Sequence, residues 1–138
     1  MTQINNVLYT GNVRTTGGRD GASRSADGRL AIKLSTPGST GPGTNPEQLL
    51  AAGWSACFIG AMGQAARMMK VALPPDTADE VEIDLCYLEG QYFLQARHSV
   101  SVPGLEPELA QALVDAAHQT CPYSKALRNN ISVEINLL

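Results

Sequence analysis

Thr44-Asn45-Pro46-Glu47-Gln48-Leu49-Leu50-Ala51-Ala52-Gly53-Trp54-Ser55-Ala56-Cys57-Phe58 is the stretch from which the rest of the chain is read. Thr44 or Asn45 is suited to cap the free N–H groups of a helix, and Pro46 fits its first position, where no N–H is needed. Glu47 sets a negative charge against the positive end of the helix dipole. No further proline occurs before Leu73-Pro74-Pro75. That spacing allows a helix of about 25 residues, nearly 40 Å long at about 1.5 Å per residue. Between Leu49 and Ala66 no side chain is charged. A helix apolar all round is buried on all sides, and close packing must offset the helix cost of Gly53, Gly60 and Gly63. Cys57 lies in its middle. A thiol there is either an inert small hydrophobe or a nucleophile, and the helix alone does not decide between them.

The chain has 138 residues, which suggests a single domain over 1–138, and its 43% hydrophobic content is enough for a real core. A net charge of -3 gives no broad attraction to nucleic acid, and no basic run or basic–aromatic interleaving is present. Met1-Thr2-Gln3-Ile4-Asn5-Asn6 lacks the charged and apolar regions of a secretory signal. The Leu49–Ala66 run reaches the length of a membrane span, but it is weakly hydrophobic, carries Ser55 and Gln64, and has no partner segment, so no membrane span is expected. Three cysteines, Cys57, Cys86 and Cys121, without a signal point to the reducing cytosol, where a thiol pair is more often catalytic than structural.

Outward from the helix, residues 4–14 read as a strand with Val7, Tyr9, Gly11 and Val13 on one face. Leu30, Ile32 and Leu34 alternate with polar neighbours as a second strand, and the two are expected to form a hairpin. Thr16 to Gly21 is the intervening turn or loop. Beyond the helix, Val81, Ile83, Leu85 and Tyr87 alternate with Glu82, Asp84 and Cys86. Glu89-Gly90 is a turn, and Tyr92 to Val102 is the antiparallel mate. Leu105, Leu109, Leu113, Val114 and Ala117 follow helical spacing over 106–119. Pro122 is placed to open a short further helix, and Ile131, Val133, Ile135 and Leu137 form a last strand. The order is ββ-α-ββ-α-β with antiparallel sheets, an α+β fold. One sheet is too little to cover so long an apolar helix, so a homodimer is the economical inference.

Cys121 precedes Pro122 and so stands at the start of a helical turn, a place that favours a thiolate. A disulfide with Cys57 requires Cα atoms within about 7 Å, which spacing in the sequence does not reveal. Cys86, on a strand, is read as structural. Arg19 stands in a glycine-flanked loop able to fold over a site, where a guanidinium lowers the pKa of a nearby thiol. Arg14, Arg24 and Arg29 are equal rivals on these grounds. Glu47 is adequately explained by the helix dipole, but is also placed to hold an arginine. His98 falls on an apolar strand face and His118 near a helix end, without ligand spacing to the cysteines, and no cofactor or metal is expected.

Taken together, these residues resemble a known family. Thr44 to Phe58 is similar to the signature around the reactive cysteine of the OsmC/Ohr family. Cys121-Pro122-Tyr123-Ser124-Lys125-Ala126-Leu127-Arg128-Asn129-Asn130-Ile131 resembles its second-cysteine signature. Tyr9-Thr10-Gly11 and Gly18-Arg19-Asp20-Gly21 resemble the organic hydroperoxide resistance (Ohr) branch. The resemblance implies a cytoplasmic, cysteine-based peroxidase preferring organic hydroperoxides. It also implies an intertwined homodimer whose sheets wrap around central helices. By motif position, Cys57 would be the peroxidatic cysteine, Cys121 the resolving one, and Arg19 with Glu47 the activating pair. A dihydrolipoyl group, on a lipoylated protein or as dihydrolipoamide, would be the reductant. Two rivals stand beside it: a thioredoxin-like thiol–disulfide oxidoreductase, prompted by Cys121-Pro122-Tyr123-Ser124, and a non-catalytic module binding small hydrophobic ligands.

Overall fold

The computed structural model describes residues 3–138. They pack as two units, one up to Pro46 and one over Glu47–Leu138.

In the first unit, β1 (Val13–Thr16), β2 (Ala22–Ser25) and β3 (Ala31–Lys33) form an antiparallel sheet in that order. Two expectations change here. The strand expected over 4–14 begins only at Val13, because its partner β2 is four residues long. The ladder ends at Val13 opposite Ser25, and Asp27 then turns the chain away by accepting from the Ser25 hydroxyl and the Arg29 N–H. The described residues before Asn12 have no strand neighbour in this chain, and Ile4, Val7, Leu8 and Tyr9 are exposed. The expected hairpin is also different, since β2 lies between the two strands. Ala22-Ser23-Arg24-Ser25 carries no apolar alternation to betray it. Its one inward side chain, Ser23, is buried through a 2.7 Å hydrogen bond with the Thr15 hydroxyl.

All of α1 (Pro46–Met68) after its first residue belongs to the second unit, and its length is close to that expected from the prolines. It is followed by β4 (Ala78–Leu88), β5 (Gln91–Ser101), α2 (Pro107–Thr120), α3 (Pro122–Leu127) and β6 (Ser132–Leu137). Glu89 and Gly90, both at positive φ, make the two-residue turn of a hairpin. That turn fixes the register, with Leu88 opposite Gln91 and Val81 opposite His98. The expectation of wholly antiparallel sheets holds for β4 and β5 but not for β6, which runs parallel to β5. The cause is the α2–α3 connection, since a helical crossover returns the chain to the starting end of the sheet.

The core of this unit lies between one face of α1 and the central strand β5, closed by α2. Trp54, Phe58 and Met62 from α1, Val100 from β5, and Leu113, Val114 and Ala117 from α2 are fully or almost fully buried. Within this chain α1 is not buried all round. Ala52, Ala56 and Gly60 face outward on the opposite side. By length and composition α1 could cross a membrane, but its Trp54–Phe58–Met62 face is the core of the unit. On the other face of the sheet Arg97 donates to both carboxylate oxygens of Asp84 (2.6 and 2.9 Å) and to Glu82 (3.1 Å). The Arg97 bonds, joined by one from the Gln95 amide (2.7 Å), hold the Asp84 carboxyl down at about 2.

Candidate active site

Cys57 and Cys121, 64 residues apart in the chain, come together where α1 meets the start of α3. Their sulfurs are 3.2 Å apart, as free thiols, with the Cys121 S–H directed at Cys57. Cys57 is half-buried and Cys121 is fully buried. Two local features bring them into register. Cys57 lies on the α1 turn that follows Trp54, and Cys121 is the cap residue at the junction of α2 and α3, its own N–H closing α2 on Ala117 (2.8 Å). The first turn of a helix leaves backbone N–H groups without helical partners. One of them, at Tyr123, donates to the Cys57 sulfur. The helical start expected beside Cys121 is therefore present, but its donor serves Cys57.

Burial pushes the Cys57 thiol above its ordinary value. The Tyr123 N–H acts in the opposite direction, while the Cys121 thiol adds to the upward push. Alone, these surroundings keep Cys57 protonated at neutral pH, and a nucleophilic role requires a cation to reverse them.

Gly53 lets α3 approach this closely. A Cβ at Gly53 would fall 2.8 Å from the Tyr123 hydroxyl and 3.1–3.2 Å from its ring. Gly53→Ala should change stability by less than about 1 kcal/mol, because the gain in helix propensity offsets a contact that the movable end of Tyr123 can relieve. Gly53→Leu has no such escape and should cost about 1–3 kcal/mol, as overpacking does. Urea unfolding of the two variants checks the contrast.

A second bond runs parallel to the thiols. The Trp54 indole N–H donates to the Ser124 hydroxyl at 3.0 Å, both side chains fully buried. Behind Trp54, His98 packs edge-on against the indole (centroids 4.6 Å) and beside Phe58 (5.2 Å). His98 Nδ1 lies 2.8 Å from Asp79 Oδ2, and neither side chain has any exposure. From the sequence, Tyr123 and Ser124 stand only as parts of the second-cysteine motif, with no role of their own, and Asp79 does not stand out at all. The turn at Glu89-Gly90 carries the signal for Asp79: with Val81 opposite His98, Asp79 is two residues along on the same face.

Glu47 occupies the first turn of α1, as expected. Arg19 lies in the first unit, in a single 3-10 turn, Gly18–Asp20. Its neighbour Asp20 anchors that turn by accepting from the Thr36 N–H and hydroxyl, both at 2.9 Å, bonds that hold its carboxyl below the usual range. Cys86 sits on β4 opposite Phe93, away from the paired thiols.

The site is defined by an α+β fold that brings two free thiols, one half-buried and one buried, within 3.2 Å of each other between a long central helix and a short second one. The family profile of OsmC-like proteins matches residues 37–136, and the chain belongs to the OsmC family. An organic hydroperoxide resistance protein of Xanthomonas axonopodis pv. citri is 44% identical over 141 residues, 99% of each chain. Among solved structures, the organic hydroperoxide resistance protein OhrB of Bacillus subtilis is 39% identical with a TM-score of 0.90, over 96% of this chain and 100% of that one. One from Legionella pneumophila is 38% identical with a TM-score of 0.89, over 96% and 98%. The thioredoxin-like alternative fails on this fold, in which Cys121-Pro122-Tyr123-Ser124 follows α2 late in the chain.

Proposed function

We propose that this protein is a thiol peroxidase that reduces organic hydroperoxides to alcohols. The observation that carries the reading is the 3.2 Å approach of the Cys57 and Cys121 sulfurs. The Cys57 thiolate attacks the peroxide oxygen distal to carbon, the O–O bond breaks, and an alcohol leaves. Cys57 is left as a sulfenic acid. The Cys121 thiol then condenses with it, releasing water and forming a disulfide. A dihydrolipoyl dithiol, free or carried on a protein, resets the pair by thiol–disulfide exchange. Arg19 supplies the cation that the buried thiol requires, and Glu47 orients it. The half-buried, apolar setting of Cys57 beside Phe58 favours an alkyl or fatty-acid hydroperoxide over hydrogen peroxide.

The working form in this proposal is a cytoplasmic homodimer. The outward face of α1 is lined by Ala52, Ala56 and Gly60, small enough for another helix to approach. The far end of the β4–β5 hairpin exposes Leu85, Tyr87 and Tyr92 on one face, at 45%, 67% and 71%. A second copy accounts for both surfaces.

The test is turnover with dihydrolipoamide as reductant. The reading expects tert-butyl hydroperoxide to be consumed much faster than hydrogen peroxide. Equal rates would remove the claimed substrate preference, and no turnover of either would favour a non-catalytic binding module. Because burial raises the Cys57 pKa, the rate of Cys57 oxidation should climb as pH rises through that value. Arg19→Ala should move the midpoint of this climb further to alkaline pH. A pH–rate profile that is the same in both proteins would take Arg19 out of the mechanism.

A further inference from the structure

We infer that the buried Trp54–Ser124 hydrogen bond is the pin that holds α3 in register for disulfide formation, making Trp54 and Ser124 positioning residues that act through Cys121. The inference rests on the peroxidase reading above and concerns only its second step.

Beside the Tyr123 N–H bond to Cys57, the side-chain contacts between α1 and α3 form a two-rung ladder. On α1, Trp54 and Cys57 are one turn apart. On α3, Ser124 is three residues beyond Cys121. Trp54 meets Ser124 at 3.0 Å and Cys57 meets Cys121 at 3.2 Å. One rung is chemically reactive and changes during the cycle. The other is inert and is held from behind, since the Trp54 indole is wedged against His98, which Asp79 fixes in turn. His98 Nε2 and Asp79 Oδ1 have no hydrogen-bond partner among the described residues. The pair is thus aligned by its one mutual bond and by packing on Trp54 and Phe58. At the far end of α3, Arg128 donates to the carbonyls of His118 and Gln119 and so ties α3 to α2. That tie sets no distance to α1. The Trp54–Ser124 bond does, and it remains when Cys57 has become a sulfenic acid and the thiol–thiol contact is gone.

The chemical consequence is a partition. The sulfenic acid at Cys57 either condenses with the Cys121 thiol, forming the S–S bond and releasing the sulfenic oxygen as water, or meets a second hydroperoxide. In the second case the sulfur takes another oxygen, the hydroperoxide leaves as alcohol, and Cys57 ends as a sulfinic acid. A pin that keeps Cys121 in reach favours the first route.

The experiment exposes reduced full-length protein to excess tert-butyl hydroperoxide and measures the ratio of Cys57 sulfinic acid to Cys57–Cys121 disulfide by peptide mass spectrometry. Ser124→Ala removes the acceptor. Trp54→Phe removes the donor while keeping an aromatic ring against His98, and serves if the serine variant fails to fold. Each should raise the ratio about five- to tenfold, the effect of losing one buried hydrogen bond. The double variant should match the single ones, because both break the same bond. Leu73→Ala, which destabilises the unit by deleting side-chain atoms packed beside Gly63, six residues along α1 from Cys57, should leave the ratio at the wild-type value. Ratios in Ser124→Ala and Trp54→Phe no higher than in Leu73→Ala would overturn the pin. Wild-type protein that forms no disulfide at all would overturn the peroxidase reading beneath it.

Discussion

Replacing Cys57 by serine is expected to abolish hydroperoxide turnover, by roughly a thousandfold or more, while leaving the fold intact. Both parts follow from the position of the residue. The side chain is half-buried, and serine has the same shape with a smaller terminal atom, so the turn of α1 that carries it should be undisturbed. An alcohol is far less acidic than a thiol, and neither the Tyr123 N–H nor the positive charge proposed for Arg19 can make it a nucleophile at neutral pH. Cys121→Ser should behave differently. Its first encounter with hydroperoxide should proceed, because Cys57 remains, but the sulfenic acid then has no partner. With excess hydroperoxide this variant should accumulate sulfinic acid at Cys57, seen as a mass increase of two oxygens. If Cys57→Ser kept its activity, α1 would be only a packing element and Cys57 one of its small hydrophobes.

Phe58→Ala should remove about 3–5 kcal/mol of stability in urea unfolding, as the loss of a fully buried aromatic side chain does. Phe58 has no exposure, sits in the turn next to Cys57, and packs against His98. Small domains carry a total of about 5–15 kcal/mol, so this one change consumes a large share. The cost should be high even for a Phe→Ala change. The neighbouring wall is the His98–Asp79 pair, and a cavity beside it gives that buried pair no compensating contact. A loss below about 1 kcal/mol would mean that the core does not sit between α1 and β5 as described.

The sequence reaches furthest where local chemistry decides the outcome. Pro46 and Glu47 begin α1, the lack of charge to Ala66 continues it, and the structure ends it at Met68. The alternation around Glu89-Gly90 fixes the β4–β5 hairpin, with its two positive-φ turn residues. Pro122 opens α3. What escapes the sequence is decided by partners distant in the chain. β2 shows no hydrophobic alternation, since its pairing is held by backbone bonds and one buried Ser23–Thr15 contact. The outer segment before Val13 has alternation but no neighbouring strand. The meeting of Cys57 with Cys121 depends on how α3 crosses α1, which no spacing encodes, so the residue-level reading leaves the pairing open and only the family resemblance supplies it. Ser124 is invisible for the same reason: its acceptor role exists only because Trp54 lies 70 residues earlier across the same crossing.

The central claim is that Cys57 and Cys121 form one redox pair, and stoichiometric oxidation tests it most directly. Reduced protein treated with one equivalent of tert-butyl hydroperoxide, alkylated, digested and mapped by mass spectrometry should yield a Cys57–Cys121 disulfide that dihydrolipoamide then reverses, with Cys86 alkylated throughout. Recovery of Cys57 and Cys121 as free thiols, or a disulfide that uses Cys86 instead, would contradict it.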